Sequence, residues 1–505
     1  MLKSIRQASR DSIIYSVGNI AVKIVGFILI PLYTDPRYFS VDDFGIIALL
    51  DITGLVIISA MASGLPQSLL RWYWDKDYSA NQKGIFFMTL VSQVAVGLLF
   101  CLILFPLSHN LSDALFKTTD WSNTIKLLIL SSALQAVNNL INTLMRIQLR
   151  SVLYTIANIS KLTAVLLLTI YFIVFRDSGV TGIYIAQVVG NSLFILLLSG
   201  YTIKNCKPFF NFQVLKSMSR FGFPLLLANF ASSSLTVIDR YALNSLALLK
   251  YVALYSLAYK ISSVLKLVIV DSIRLAVFPM VMKKIDTPGN KRFYSKTMLY
   301  SSFVLMLGII AISLFSFEII GLITRSREFL NAYSVVPLLA ISVFFVNMRE
   351  ISSFGLYIVK KTNIIGINVV VAAVINILLN IILIPKWNIT GAALATVLTQ
   401  VIFLCMNYIK SQKEYYIPFE QGKLALLLIL GSIISFSGLL MTELNLVLRL
   451  TLKLLCLVSF PFILYLFDFY EPVEIQTIRK FFNKWKDLSR FRENLKTADH
   501  LTDDE

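Results

Sequence analysis

Long apolar stretches are the feature that most limits what this chain can fold into. Stretches of twenty or more predominantly apolar residues recur from position 12 to position 470, and about 20 such residues span the hydrocarbon core of a bilayer as a helix. Hydrophobic residues make up 57% of the chain and charged residues only 15%, whereas soluble domains are about a quarter charged. We therefore expect an all-α polytopic membrane protein whose solvent is the lipid bilayer.

Dividing the apolar runs at charged residues and at Pro, Gly or Asn predicts fourteen transmembrane helices. They lie near residues 12–33, 44–65, 84–108, 123–147, 152–175, 180–203, 221–246, 251–282, 297–323, 333–358, 363–384, 389–409, 421–441 and 446–470. The predicted domains are an N-lobe of helices 1–6 (1–208), a C-lobe of helices 7–12 (209–412), helices 13–14 (413–470) and a cytoplasmic tail (471–505). Apolar residues at helical spacing among Lys and Arg predict an amphipathic basic helix in that tail.

The distribution of Lys and Arg predicts the orientation of these helices. Of the 46 basic residues, 29 lie in the two termini and in the loops on one side of the predicted bilayer, and nine lie on the other side. Cytoplasmic loops carry the excess of Lys and Arg, so both termini are expected to be cytoplasmic. The formal net charge of +18 does not indicate nucleic acid, because nucleic-acid binders place Lys and Arg on a soluble face.

An internal repeat relates the two predicted sets of six helices. Residues 179–188 resemble residues 388–397, sharing Thr, Gly, Ala and Val at matching places, and residues 44–49 align with residues 252–257 at nearly the same offset. Six helices return the chain to the same side of the membrane, so the repeats are expected to be parallel. Transporters with such repeats place the substrate between them, and we expect a central cavity there.

Charges inside the predicted helices mark the candidate site. Each costs about 2.5–3.5 kcal/mol at the bilayer centre even on the lenient insertion scale, so a cavity or a partner is expected. Five form the predicted cationic substrate-binding cavity: Lys23, Lys161, Arg240, Lys266 and Arg349. On the eighth helix Tyr259, Lys266 and Arg274 lie towards one side. Lys260 and Asp271 lie towards another, where their spacing suits a structural pair, so Lys266 is favoured as the cavity residue. Cations in a cavity select anions, and Arg and Lys suit phosphate groups.

Polar residues at helical spacing extend this candidate site. The predicted polar lining of the cavity consists of Asn19, Gln135, Asn138, Asn142, Asp239 and Tyr259. Amides on such a face are able to bind sugar hydroxyls. Interhelical hydrogen bonding, a common role of polar residues in membranes, explains the same pattern, and the sequence leaves both interpretations open.

Short motifs along the chain resemble those of the polysaccharide transporter family, which comprises lipid-linked oligosaccharide flippases of the multidrug/oligosaccharidyl-lipid/polysaccharide exporter (MOP) superfamily. The motifs are Ile30-Pro31-Leu32, Asp43-Phe44-Gly45-Ile46, Gly64-Leu65-Pro66, Asp239-Arg240-Tyr241, the segment 254–260, Asn376, Asn380, Ile384-Pro385 and the segment 391–395. The resemblance covers about residues 5–470. One departure is Ala253, where the family usually has Gly.

The resemblance implies a flippase of the bacterial cytoplasmic membrane rather than an enzyme. Its substrate would be an undecaprenyl-diphosphate-linked oligosaccharide moved from the cytoplasmic to the outer leaflet for capsule, O-antigen or exopolysaccharide synthesis. The diphosphate and sugars would occupy the cationic cavity. The resemblance implies no catalytic residue, metal or cofactor. It allows transport to be coupled to a proton or sodium gradient or to the membrane potential. It also allows contact with other polysaccharide assembly proteins.

Three other functions compete with a flippase. A multidrug or cation antiporter of the same superfamily shares the architecture, but its cationic substrates suit the predicted cavity poorly. A membrane-embedded polysaccharide polymerase or ligase needs acid–base groups at a membrane surface, whereas the two histidines are His109 and His500 and no external loop is long. A scaffold for a biosynthetic complex would not need the polar stripes.

Neutralising Lys23 or Arg240 is predicted to abolish glycan export while the protein stays in the membrane. The physical reason is that the cavity loses a cation that attracts the diphosphate. Export would be measured as surface polysaccharide, with immunoblots of membranes as the control. Full export by the Lys23→Ala, Arg240→Ala double variant would show that these charges serve packing alone.

Overall fold

The regular structure of this chain is helical wherever the structure describes it. The computed structural model describes residues 26–75, 81–283, 285 and 287–476. The α-helices of that part are α1 Ile30–Tyr33, α2 Val41–Met61, α3 Leu65–Trp72, α4 Gln82–Leu104, α5 Ser108–Phe116, α6 Ser122–Ile147, α7 Ser151–Ile170, α8 Gly179–Leu197, α9 Ser199–Lys204, α10 Phe212–Leu246, α11 Leu249–Leu265, α12 Asp271–Lys283, α13 Asn290–Leu314, α14 Ser316–Ile323, α15 Val336–Ser352, α16 Phe354–Ile358, α17 Thr362–Glu414, α18 Gln421–Leu440 and α19 Leu446–Leu466. Tyr171–Phe175 and Lys266–Val270 are π-helical, and Arg327–Val335 is a 3-10 helix.

Eleven helices in the described residues are long and apolar enough to cross a membrane, as a multi-pass membrane protein requires. The helix predicted at 221–246 lies within α10, which is not one of the eleven, and the helices predicted at 363–384 and 389–409 both lie within α17. Non-helical backbone at Asn388 (φ 46°, ψ −122°) interrupts α17. The helix predicted at 12–33 is described only from residue 26. The count of fourteen stays a prediction, as do the domain bounds.

Helix α2 shows how the sequence starts a transmembrane segment. Its N-cap is Ser40, whose side-chain oxygen accepts a hydrogen bond from the backbone N–H of Asp43 at 3.1 Å. In return, the carboxylate of Asp43 accepts from the backbone N–H of Ser40 at 2.8 Å. This capping box satisfies two of the amide groups that a helix start leaves unpaired, and the adjacent acidic residues Asp42 and Asp43 suit the positive end of the helix dipole.

The long helices pack in two groups. In the N-terminal group α6 packs against α2, α4 and α8, and α8 also packs against α7; in the C-terminal group α15 packs against α11, α13 and α17, and α17 also packs against α10. Helix α2 joins the groups because it also packs against α10 and α11. Space between the groups is therefore bounded by α2, α10 and α11.

One set of contacts between the two groups lies at the end of the bundle that the charge distribution predicts to be outside. The rings of Phe44 and Phe329 meet edge to face at 5.2 Å, and the side-chain amide of Asn244 donates to the carbonyl oxygen of Leu115 at 2.6 Å. Buried apolar residues of both groups form one continuous core around these contacts. The structure is thus closed at this end.

Helices α18 and α19 are held to the C-terminal group by ion pairs near both ends of α13. Near one end Lys453 of α19, fully buried, contacts Glu318 at 2.8 Å, and Arg449 contacts the same carboxylate at 2.7 Å. Near the other end Lys296 lies between Glu420 and Glu471, at 2.7 and 2.5 Å. The hydrogen bond from Lys296 lowers the pKa of the Glu471 carboxyl. Of the predicted amphipathic tail helix, the residues after 476 lie outside the described part of the chain.

Two glycine backbones touch at the end of the bundle that is predicted to be cytoplasmic. Gly64, between α2 and α3, has φ +68°, and a Cβ added there would lie 2.2 Å from the carbonyl oxygen of Gly222 in α10. Beside them the hydroxyl of Ser68 donates to the carbonyl oxygen of Met218 at 2.7 Å. Only glycine permits both the left-handed backbone and this close approach.

Gly64→Ala is predicted to destabilise the protein more than Gly179→Ala. Gly179 also has a positive φ, +51°, but open space surrounds its missing Cβ, so that variant carries only the left-handed strain of about 1–2 kcal/mol. Gly64→Ala adds a clash with backbone that must shift helices. Thermal denaturation in detergent would show the larger fall in midpoint temperature for Gly64→Ala. Equal falls would contradict a close contact between the two backbones.

Candidate functional site

A cavity of about 520 Å³ lies between the two groups of helices. Its wall combines Asp51 of α2 with residues of α10 and α11, so both groups contribute to it. The charged residues on the wall are Asp51, Arg240, Lys260, Lys266 and Asp271. We call this space the central cavity. Three cations face two carboxylates there, in a position where repeat-built transporters bind their substrates.

Arg240 is held rigidly on the wall of the central cavity. Its side chain is buried; Nε donates to the hydroxyl of Ser256 at 3.0 Å, and one terminal nitrogen donates to the carbonyl oxygen of Thr236 at 2.9 Å. The guanidinium also lies over the ring of Tyr259, 4.4 Å from its centroid, which is a favourable cation–π distance. These bonds leave donor capacity for an anion, because a guanidinium has five N–H groups.

A second cavity, of about 440 Å³, lies within the C-terminal group. We call it the C-terminal cavity. Hydroxyl and amide side chains supply much of its wall: Thr236, Tyr259, Ser262, Ser263, Ser342, Ser353, Tyr357, Thr362, Thr396, Gln400 and Asn407. The charged residues are Lys266, Arg274, Arg349 and Glu350. Three cations against one carboxylate give this space a net positive charge.

Arg349 is fixed by three contacts in the C-terminal cavity. Its guanidinium donates to the side-chain oxygen of Gln400 at 2.7 Å and to Glu350 at 3.0 Å, and it lies over the ring of Phe403, 4.3 Å from the centroid. Arg274 reaches the other oxygen of Glu350 at 3.7 Å while most of its side chain stays exposed. One carboxylate therefore bridges one tightly held arginine and one loosely held arginine.

Lys266 connects the two cavities. It lines both of them, together with Thr236, Tyr259 and Ser263. It is also the first residue of the π-helical turn Lys266–Val270, and π turns inside α-helices are frequent at functional sites. A ligand moving between the cavities would pass this ammonium group.

The predicted site residues of the N-terminal group lie elsewhere. Lys161 donates to the side-chain oxygen of Gln135 at 2.9 Å. Asn138 donates to Asn191, which lies on another helix, at 3.0 Å, and Asn142 exchanges two hydrogen bonds with Asn158 of α7. None of the four predicted residues is among the described residues that line either cavity. Their contacts are the interhelical hydrogen bonds that the sequence left as the other interpretation.

Asp239 lies behind the wall of the central cavity and is buried. Its carboxylate accepts hydrogen bonds from Tyr255 at 2.6 Å, Thr396 at 2.6 Å and Asn380 at 2.8 Å. The neighbouring Arg240 points into the cavity, as expected for adjacent residues that diverge by about 100° on a helix. The network therefore joins α10, α11 and α17 behind the face that Arg240 presents.

Arg240, Lys266, Arg349 and Tyr259 are the predicted residues that line the cavities. Asn19 and Lys23 lie outside the described residues. Sequence reasoning did not assign five charged lining residues to the site: Asp51, Lys260, Asp271, Arg274 and Glu350. The signal was present, because each is a charge within a predicted helix, but helical spacing alone did not show which way each side chain points. No group of three or more His, Cys, Asp or Glu side chains suited to a metal occurs in the described residues.

Solved structures with similar folds are transporters and flippases. "Lipid II flippase MurJ, inward closed conformation" matches with a TM-score of 0.69 at 15% identity, covering 90% of this chain and 99% of that chain. An inward-facing multidrug resistance MATE family transporter of the MOP superfamily matches with a TM-score of 0.64 at 14% identity, covering 81% and 98%. The MATE multidrug transporter DinF-BH in complex with R6G matches with a TM-score of 0.61 at 15% identity, covering 82% and 96%. At sequence identities of 14–15% these structural similarities show the fold alone.

A sequence comparison gives the family. A search of the curated proteins finds no match. The family model described as "Polysaccharide biosynthesis protein" matches residues 36–328, more than half of the chain, which confirms the resemblance found in the short motifs. The chain therefore belongs to the polysaccharide biosynthesis protein family, and its fold is similar to that of the lipid II flippase and the MATE transporters.

Proposed function

We propose that this protein flips an undecaprenyl-diphosphate-linked oligosaccharide from the cytoplasmic to the outer leaflet of a bacterial cytoplasmic membrane, for capsule, O-antigen or exopolysaccharide synthesis. The observation that carries the proposal is the excess of cations on two adjoining cavities inside the bundle. Arg240, Lys266 and Arg349 line these cavities, and Arg and Lys suit phosphate groups. Membership of a polysaccharide biosynthesis family supports a glycan as the attached group.

The two cavities suit different parts of this substrate. The hydroxyl and amide groups of the C-terminal cavity, Ser342, Gln400 and Asn407 among them, are able to exchange hydrogen bonds with sugar hydroxyls. The central cavity lies beside α2, α10 and α11 and carries Arg240 and Lys260. The diphosphate would bind near Lys266, where the cavities meet, with its lipid tail in the bilayer.

Alternating access would move the substrate across the membrane. In our proposal the N-lobe (1–208) and the C-lobe (209–412) rock about α2, with both termini cytoplasmic and helices 13 and 14 attached to the C-lobe. The contacts that such rocking would break at the outer end include the Phe44–Phe329 ring pair and the bond from Asn244 to Leu115. Other polysaccharide assembly proteins would receive the flipped product.

The electrostatics of the cavities disfavour an antiporter of organic cations. Such a carrier needs carboxylates or aromatic rings that face the cation. Here the ring of Tyr259 is covered by Arg240 and Glu350 is bridged by arginines, while Asp51 and Asp271 share the central cavity with three cations. The cations of the two cavities outnumber the carboxylates. An anionic substrate removes the mutual repulsion of these cations, and a cationic substrate would add to it.

Lys266→Gln is predicted to slow flipping by about tenfold or more, because a loss of 1.4 kcal/mol of attraction in the rate-limiting state gives that factor. The measurement is the flipping of a polyprenyl-diphosphate-linked oligosaccharide in proteoliposomes, followed by protection of its sugars from an external enzyme. The matched control is Lys410→Gln, an exposed residue near the end of α17 that lines neither cavity. Equal slowing by both variants would contradict a specific role for Lys266.

Deletion of the gene is predicted to leave complete, unpolymerised lipid-linked repeat units inside the cell. Without the flippase these units cannot reach the outer leaflet. Mass spectrometry of extracted lipid-linked intermediates would identify the repeat unit, and complementation by the wild-type gene is the control. Normal surface polysaccharide in the deletion strain, with no lipid-linked unit accumulating, would overturn the proposed function.

Coupling to a proton or sodium gradient, or to the membrane potential, is also part of the proposal. We expect uphill flipping in proteoliposomes to stop when the driving gradient is collapsed by an ionophore specific for it. Separate collapse of the proton gradient, the sodium gradient and the potential identifies the one used. Unchanged uphill flipping after all three are collapsed would exclude this form of coupling.

A further inference from the structure

Two arginines from different helices meet at a single carboxylate in the C-terminal cavity. Arg349 of α15 contacts one oxygen of Glu350 at 3.0 Å, and Arg274 of α12 contacts the other oxygen at 3.7 Å. Arg349 keeps its position by other means as well, because Gln400 accepts from it at 2.7 Å and Phe403 lies under it. Among the described residues Arg274 has no comparable second contact, and its side chain is 59% exposed.

The π turn Lys266–Val270 changes the direction of Arg274 relative to Lys266. Arg274 lies eight residues after Lys266, which in a regular α-helix separates two side chains by about 80°. A π turn takes one extra residue, so the separation acts like seven residues and the angle falls to about 20°. Tyr259, Lys266 and Arg274 accordingly line the same cavity. The π turn thus aligns Arg274 more closely with Lys266, on the side of the helix where the sequence spacing already placed both.

We propose that Arg274 and Arg349 form a clamp for a phosphate group, that Glu350 fills this clamp in the unloaded protein, and that the phosphate displaces Glu350 on binding. A carboxylate that contacts two guanidinium groups occupies the donors that a phosphate would use, since both anions accept paired N–H groups from arginine. The long contact of Arg274 with Glu350 is the weak side of the bridge and opens first. Glu350 thereby acts as an internal competitor. This inference deepens the proposed function and rests on it for the identity of the natural substrate.

Competition by Glu350 has a consequence for selectivity. A singly charged anion gains little by displacing a carboxylate of the same charge, whereas a diphosphate carries more charge and more acceptor oxygens. The clamp therefore favours a diphosphate over a carboxylate or a simple monovalent anion. Arg349, already fixed, binds without further ordering, and Arg274 closes on the opposite side of the ligand.

The experiment measures binding of inorganic pyrophosphate and, separately, of a polyprenyl-diphosphate-linked oligosaccharide to the full-length protein in nanodiscs. Glu350→Gln removes the competing charge, keeps the shape of the side chain and leaves Arg349 held by Gln400 and Phe403. It is expected to bind pyrophosphate about tenfold more tightly than the wild type. Adding Arg274→Gln to this variant is expected to abolish the gain. Lys410→Gln, outside the cavity, is the control and should bind like the wild type.

Glu350→Asp provides a second test that keeps the negative charge. The shorter side chain cannot bridge both arginines without moving one of them, so binding should be tighter than in the wild type and weaker than in Glu350→Gln. Pyrophosphate binding that is unchanged or weaker in both Glu350 variants, with unchanged thermal stability, would overturn the clamp. If one of the two Glu350 variants fails to fold, the pyrophosphate binding of the other variant decides the outcome.

The two probes separate this inference from the proposed function. Tighter pyrophosphate binding by Glu350→Gln, together with no binding or flipping of the lipid-linked oligosaccharide by the wild type, would support the clamp and overturn the flippase. Flipping by the wild type without any gain in the Glu350 variants would support the flippase and overturn the clamp. Each result therefore supports one of the two proposals and overturns the other.

Discussion

The inability of lipid to solvate charges and backbone amides is the constraint on which the rest of this structure depends. Backbone groups within the bilayer must bond to one another, so the long apolar stretches become helices. Charged side chains must find partners inside the bundle or face a cavity. Lys453 shows the first outcome, since it is fully buried and bonded to Glu318, and Arg240 shows the second, on the wall of the central cavity. Both outcomes tie helices together.

The two groups of helices satisfy this constraint differently. In the N-terminal group the amides of Asn138, Asn142 and Asn158 bond to partners on other helices, which fills the interior with closed polar contacts. In the C-terminal group similar bonds join Asn368 to Asn407 and Asn347 to Ser301, and other polar side chains line a cavity. The two cavities described above accordingly lie in the C-terminal group and in the space that it shares with α2.

The contacts between the groups at the two ends of the bundle are chemically simple. At the outer end they are a ring pair, apolar packing and the bond from Asn244 to a carbonyl oxygen. At the other end they are the glycine backbones of Gly64 and Gly222 and the bond from Ser68. None of these contacts is an ion pair. Neutral contacts of this kind cost little to break, since no charge is left unpaired in the bundle.

The sequence by itself determined the elements that depend on local pattern. The helix predicted at 123–147 is Ser122–Ile147 in the structure, and the one predicted at 421–441 is Gln421–Leu440, because apolar length and end signals decide where a helix in lipid begins and ends. Short motifs gave the family as well. The pattern also identified the charges that the membrane disfavours, including Arg240 and Lys266, as the residues to examine for function.

Only the tertiary structure decided which of those charges share a site. Lys161 bonds to Gln135 within the N-terminal group, whereas Arg349 and Arg274 meet at Glu350 on the C-terminal cavity although they lie on different helices. The direction of a side chain depends on how each helix is rotated against its neighbours and on irregular turns, and neither is encoded in the spacing of charges along the chain. Residue type therefore fixed the chemistry available, and packing fixed where that chemistry is found.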